Sequence, residues 1–212
     1  MGWVLFLCQI AAFCHTNGSR SYGCTDFMTI FAQRITKNNE FIMNKLNFEV
    51  LAKENVFDLI NKDWMLITAG DSSNFNTMTA SWGGMGWLWN RPVAFLFVRK
   101  ERFTHQFIEQ NSRLTLSFYA EEYRKALQIC GSKSGRDTDK VALAGLTPMK
   151  LEDGTMTFDE ARMTVCCRKL FATDMIEADF ADAELYKKFY NANAGGTDHT
   201  LYIVEIESVY TK

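Results

Sequence analysis

Residues Asn76 to Thr104, NTMTASWGGMGWLWNRPVAFLFVRKERFT, constrain this chain more than any other stretch. Thr77, Thr79 and Ser81 alternate with Met78, Ala80 and Trp82. A period of two puts the small hydroxyls on one face of a strand and the bulky apolar groups on the other. The glycine- and tryptophan-rich segment from Gly83 to Trp89 reads as a turn. Arg91-Pro92 then leads into Val93-Ala-Phe-Leu-Phe-Val98, an apolar run short enough for a buried strand. It ends in Arg99-Lys100-Glu101-Arg102, and Phe103-Thr104 precedes a predicted helix over His105 to Asn111. Basic residues and a hydroxyl at a strand-to-helix turn can hold a phosphate, because first-turn amides are unpaired donors with partial positive charge. The plainer reading of the same tip is a solvated strand end. Two polar clusters separated by one hairpin, with aromatic residues between them, favour a flat, phosphorylated, heteroaromatic ligand.

The remaining pattern is mostly short strands. Trp64 to Gly70, Leu114 to Tyr119, Met156 to Phe158, Ala161 to Ala172, Asp174 to Ile176 and His199 to Val209 read as sheet segments, with a turn at Asp153-Gly154. Helical spacing is confined to Asn55–Lys62, Glu121–Ile129, Asp139–Ala144 and Ala183–Tyr190, and Gly145 stands where a left-handed C-cap belongs. Gly131 to Arg136 reads as a glycine-serine loop. Many strands with few helices point to a mainly β fold, a closed barrel with peripheral helices. The chain of 212 residues has a formal charge of −2, which offers no electrostatic reason to expect nucleic acid or an acidic membrane surface. No dinucleotide fingerprint, phosphate-binding P-loop, nucleophile elbow or internal repeat is present.

Residues 1–42 do not share this pattern. The apolar run from Trp3 to Phe13 is too short to span a bilayer, and no Lys or Arg precedes it as a secretory leader would require. The expected organisation is an N-terminal extension over 1–42 outside the fold and one domain over 43–212. The six cysteines, at 8, 14, 24, 130, 166 and 167, form no C-x-x-C pair, and His15, His105 and His199 are scattered, so a zinc site is not expected. Buried free thiols in a reducing cytoplasm are the expectation, with Cys166 and Cys167 on opposite faces of one strand.

The ordered segments N-T-M-T-A-S-W, R-P-V-A and F-V-R-K-E-R-F-T, followed by Cys130-Gly131-Ser132-Lys133-Ser134-Gly135-Arg136-Asp137 in the form C-G-x-x-S-G-R-D, resemble the flavin reductase-like proteins of the FMN-binding split β-barrel superfamily, flavoredoxin-type members among them. The resemblance runs from about Asn44 to the C-terminus. It implies FMN as cofactor, NADH or NADPH as transient hydride donor, and a homodimer with the flavin near the subunit interface. Thr77, Thr79, Ala80 and Ser81 match the strand along the isoalloxazine and ribityl chain, and Trp82 either flanks the ring or belongs to the core. Arg99, Lys100, Arg102 and Thr104 match the phosphate-holding turn. Arg102 and Thr104 rank first there, since one of Arg99 and Lys100 is expected to face solvent. Cys130, Gly131 and Ser132 match a loop that supplies backbone contacts. Lys140 either faces the phosphate or is a solvated helix lysine. No catalytic acid or base is implied, because the flavin carries the chemistry. Two activities fit: an NAD(P)H-dependent flavin reductase, or a flavoredoxin-like FMN electron carrier that serves a redox protein.

Overall fold

The computed structural model describes residues 43–190 and 197–212. The expectations for residues 1–42, with Cys8, Cys14 and Cys24, lie outside the described residues. The described residues form ten strands in chain order: β1 (Asn44–Leu46), β2 (Met65–Gly70), β3 (Phe75–Ala80), β4 (Gly83–Leu88), β5 (Arg91–Arg99), β6 (Arg113–Phe118), β7 (Pro148–Lys150), β8 (Met156–Phe158), β9 (Met163–Asp174) and β10 (His199–Thr211). Eight of them form one antiparallel sheet in the order β3-β2-β6-β9-β10-β5-β4, with β1 added to the end of β10; β7 and β8 pair separately. The long β10 is the spine. Its first half pairs with β5, from His199 opposite Arg99 to Glu205 opposite Val93, while β9 runs along its other edge with two register shifts.

Alternation divides the apolar residues between two cores. Met65, Ile67 and Ala69 of β2 enter the larger core with Leu96, Val98, Leu114, Leu116 and Tyr202. Leu66, between them in sequence, points to the other side and packs with Leu127, Phe158 and Tyr210. Cys166 and Cys167 divide in the same way, one to each core, and both are buried free thiols. Each fully buried leucine of this kind contributes about 1.5–3 kcal/mol relative to exposure, so β2, covered on both faces, is firmly held.

Among the described residues, five α-helices lie around the sheet: α1 (Val56–Asp58), which continues as a π turn over Leu59–Asp63, α2 (Phe103–Gln110), α3 (Arg124–Ser132), α4 (Lys140–Ala144) and α5 (Ala183–Tyr190). Helix α3 presents Ala126, Leu127 and Cys130 to the sheet. Helix α4 starts where the Asp139 side chain accepts from Ala142 N and stops at Gly145, whose φ of +68° is the left-handed cap read from the sequence.

Four sequence expectations need correction. Gly83 to Trp89 is not a turn: Gly83–Leu88 is β4, paired with β5 from Gly83 opposite Leu96 to Leu88 opposite Arg91. The turn is Trp89-Asn90, with φ of 50° and 57°, a two-residue hairpin whose positive φ values match the strand twist. Three glycines lower strand propensity, but the ladder to β5 overrides them. Helix α2 begins at Phe103 rather than His105. Helix α3 runs on to Ser132, so Cys130, Gly131 and Ser132 are its last turn rather than a loop. Asp174 ends β9, and the segment expected over Asp174 to Ile176 is not a separate strand.

Candidate flavin site

Strand β3 lies against the last turn of α3. The Thr79 hydroxyl donates to the Leu127 carbonyl, and a Cβ on Gly131 would stand 3.3 Å from Thr79 Cβ, so this crossing tolerates little more than a glycine. Two residues earlier on the same face of the strand the environment is drier. Thr77 is fully buried; its hydroxyl accepts from Thr68 Oγ1 at 2.9 Å and donates to Ile67 O at 3.2 Å. Thr104, in the first turn of α2, is also fully buried and accepts from Asn76 Nδ2 at 2.7 Å. These two hydroxyls tie β3 to β2 and to α2.

The loop between α3 and α4 closes over this junction. A Cβ on Gly135 would lie 2.1 Å from Asn76 Oδ1, so only glycine lets the loop approach. Arg136 donates to Glu101 O at 3.0 Å and covers the Phe103 ring at 4.8 Å. Lys140 is buried rather than solvated, and its ammonium donates to Cys130 O at 3.4 Å and Lys133 O at 3.3 Å. Burial, with the charge of Arg102 nearby, pulls its pKa down to about 8. Arg102 Nη2 reaches the same Cys130 carbonyl at 3.5 Å, and burial lowers its pKa as well. Two cations thus converge on the negative end of α3. Burial pushes the Cys130 thiol up to about 11, which makes it a packing group and not a nucleophile.

Beside this junction opens a cavity of about 240 Å³, lined by Met78, Thr79, Ala80, Ser81, Trp82, Phe97, Arg99, Arg102 and His199. It gathers Thr79, Ala80, Ser81, Trp82, Arg99 and Arg102 from the sequence reading. Thr77, Thr104 and Cys130 stand behind the wall, and Ser132 is exposed, its hydroxyl donating to Gln128 O at 2.8 Å. Lys100 points away, ion-paired with Asp174 at 2.6 Å. A larger cavity of about 620 Å³ lies between Asn76 and residues 135–142; Gly135, Arg136 and Asp137 of the C-G-x-x-S-G-R-D segment border it, but Asp137 and Asp139 share its lining with Arg136 and Lys140, and of the residues matched individually to the flavin only Lys140 reaches it. The smaller one has two guanidinium groups, an indole and no carboxylate, which is the donor set a phosphorylated heteroaromatic molecule requires.

Sequence reasoning passed over His199, Phe97 and the last turn of α5. His199 is buried at the cavity wall, its Nδ1 3.0 Å from the Tyr190 hydroxyl. Burial first, and then the charge of Arg99, lower its pKa to about 4, so the imidazole is neutral at neutral pH. The only signal in the chain was the position of His199 at the head of a β-branched strand. Its pairing opposite Arg99 appears only in the β5–β10 register.

Residues 58–212 match the flavin reductase-like domain family. The chain belongs to this family. No curated protein matches the sequence significantly. Among solved structures, the chain is similar to flavoredoxin of Desulfovibrio vulgaris (Miyazaki F), with 22% identity, coverage of 70% of this chain and 69% of that one, and a TM-score of 0.54. It is also similar to an FMN-binding domain of a flavin reductase-like enzyme from Shewanella baltica OS155, with 16% identity, 81% and 78% coverage and a TM-score of 0.57. A third is an NADH:FAD oxidoreductase from Streptomyces globisporus C-1027, in complex with NAD and FAD fragments, with 16% identity, 71% and 74% coverage and a TM-score of 0.51. At these identities the likeness is one of fold: this flavin reductase-like chain has the mainly antiparallel split-barrel architecture that its motifs imply. Among its described residues no helix is long and apolar enough to cross a membrane.

Proposed function

We propose that this flavin reductase-like protein binds FMN in the Arg99–Arg102–Trp82 cavity and oxidises NADH or NADPH there. The observation that carries the reading is the convergence of two guanidinium groups and a carboxylate-free wall at β3, where a phosphate would meet Arg102 and Arg99. Small side chains at Ala80 and Ser81 in the cavity lining leave room for the ring to approach the strand. The neutral His199 adds an acceptor or donor without adding charge. When bound, the flavin supplies hydride acceptance and onward electron transfer. The residues bind, orient and exclude water, and none is asked to act as a general acid or base.

One observation favours the reductase over the flavoredoxin-like carrier. A second cavity of about 450 Å³, lined by Ile60, Gly83, Gly84 and Met85 among others, shares Ser81 and Trp82 with the first, which leaves space for another ring beside the flavin. Titration with FMN and riboflavin, followed by stopped-flow absorbance with each nicotinamide, tests the reading. Flavin reduction by NADH or NADPH supports it; tight FMN binding with no reduction by either supports the carrier. Failure to bind any flavin removes both.

A homodimer is part of the same proposal. Strand β4 ends the sheet without a charged residue, and Trp87 and Trp89 are 61% and 55% exposed. An apolar, uncharged edge of this kind is normally covered by another chain. Sedimentation of a monomer at micromolar concentration with FMN bound would contradict it. Free buried thiols at Cys130, Cys166 and Cys167 are compatible with a reducing, cytoplasmic setting.

A further inference from the structure

Helix α5 contributes no residue to either core, yet its last turn is fastened to the wall of the flavin cavity by three contacts. Phe189 meets Trp82 edge to face, with centroids 5.5 Å apart. The Tyr190 hydroxyl lies 3.0 Å from His199 Nδ1. Arg99 donates through Nη2 to Phe189 O at 3.0 Å and through Nη1 to Thr197 O at 2.8 Å, with its guanidinium 5.4 Å from the centre of the Tyr190 ring. Trp82, His199 and Arg99 are all cavity residues. Elsewhere Tyr186 stacks on Tyr190 at 5.3 Å and donates to Asp198 Oδ1 at 2.9 Å, and Phe180, ahead of the helix, packs against both tyrosines.

Arg99 is the decisive group. A guanidinium binds a phosphate best through two parallel N–H donors, and here a donor on each terminal nitrogen is committed to a main-chain carbonyl. One of those carbonyls belongs to the C-terminal end of α5, which attracts a cation through its partial negative charge. A dianionic phosphate is a stronger acceptor than either carbonyl. The cavity lined by Trp82, Arg99 and His199, the three residues that this turn holds, is about 240 Å³, whereas sites for drug-sized ligands occupy roughly 300–1,000 Å³. The element that engages the Arg99 donors is thus the one that fixes Trp82 and His199 at the cavity wall.

We propose that α5 is a gate on the flavin cavity, that Arg99 is its latch, and that a phosphorylated ligand opens it by taking over the Arg99 guanidinium. The identity of that ligand as FMN rests on the function proposed above; the latch itself does not. Phe189 acts as a positioning residue of the gate, since it seals against Trp82 without contributing a polar group.

Amide hydrogen exchange of the full chain tests the latch directly. In Arg99→Gln, residues 183–190 should exchange about tenfold faster or more, as expected for the loss of a charge-assisted hydrogen bond, while β9 and β10 keep their protection. Saturating FMN should accelerate exchange of the same helix in the wild type and change nothing further in Arg99→Gln. In Phe189→Ala, which leaves the guanidinium in place, stopped-flow association of FMN and riboflavin should each quicken by about tenfold. Unchanged exchange of α5 in Arg99→Gln overturns the latch, and stronger protection of α5 on adding FMN overturns the competition. If the wild type binds neither flavin, the proposed function fails, and the free-protein exchange comparison still decides whether Arg99 holds the gate.

Discussion

Gly135→Ala should cripple the junction on which the candidate site is built, although it adds one methyl group at the surface of the domain. The new Cβ would stand 2.1 Å from Asn76 Oδ1, 3.1 Å from Asn76 Cγ and 3.3 Å from Phe103 Cδ1. Real Cβ atoms do not approach so closely, so either the loop or the Asn76 amide must move. Asn76 is buried and donates to Thr104 Oγ1 at 2.7 Å, so its displacement leaves the fully buried Thr104 hydroxyl without that donor. Overpacking costs about 1–3 kcal/mol, and an orphaned buried hydroxyl costs about 1–3 kcal/mol. Partial relaxation of the loop brings the expected loss to about 2–4 kcal/mol, a fall in melting temperature of roughly 4–16 °C for a chain of this size. Urea denaturation followed by tryptophan fluorescence would measure it. Gly145→Ala is the comparison: no atom lies within 4 Å of its Cβ, so only the left-handed backbone at +68° is strained, at about 1 kcal/mol. A double-mutant cycle sharpens the attribution. Asn76→Ala removes the clashing oxygen, so Gly135→Ala should cost at least about 1 kcal/mol less in that background. A Gly135→Ala protein within about 0.5 kcal/mol of wild type, or a cycle with no coupling, would refute the reasoning.

Arg102→Ala should weaken FMN by about tenfold or more and riboflavin much less, because the lost contact is to phosphate; equal losses in fluorescence titrations would show that Arg102 faces another part of the ligand. His199, held near a pKa of about 4 by burial and by Arg99, refuses a proton that the unfolded chain takes up below about pH 6.5. Stability should therefore fall as pH drops through that window, and His199→Asn should flatten this limb in denaturation curves collected from pH 4 to 7. Lys140 gives the opposite end of the profile: its folded pKa of about 8 lies below the unfolded value of about 10.4, so the folded protein releases its proton first. Stability should rise from about pH 8 towards pH 10 on account of this residue, and Lys140→Met should abolish that rise.

The chain's own pattern determined much of this. Alternation in β3 and the apolar run of β5 are local properties, and they place hydroxyls, an indole and arginines at the two sides of one hairpin without reference to distant contacts. The left-handed cap at Gly145 and the division of Cys166 and Cys167 between two faces follow from the same short-range stereochemistry. Strand β4 was invisible because Gly83, Gly84 and Gly86 favour no strand, and only pairing with β5 makes one. The last turn of α3 was hidden for a similar reason, since Cys130, Gly131 and Ser132 become helical where Leu127 and Cys130 bury against β3 and β2.

Tertiary structure decided which polar residues face the cavity. Thr77 and Thr79 look equivalent in sequence, yet one is spent between β3 and β2 and the other reaches α3. Arg99 and Lys100 are neighbours, yet register with β10 turns the first towards His199 and α5 and the second towards Asp174. Such choices depend on residues about a hundred positions away, and no local periodicity can encode them. The hydroxyls and charges were written in the chain; their division between wall, latch and cavity was settled by the pairing of β5 with β10.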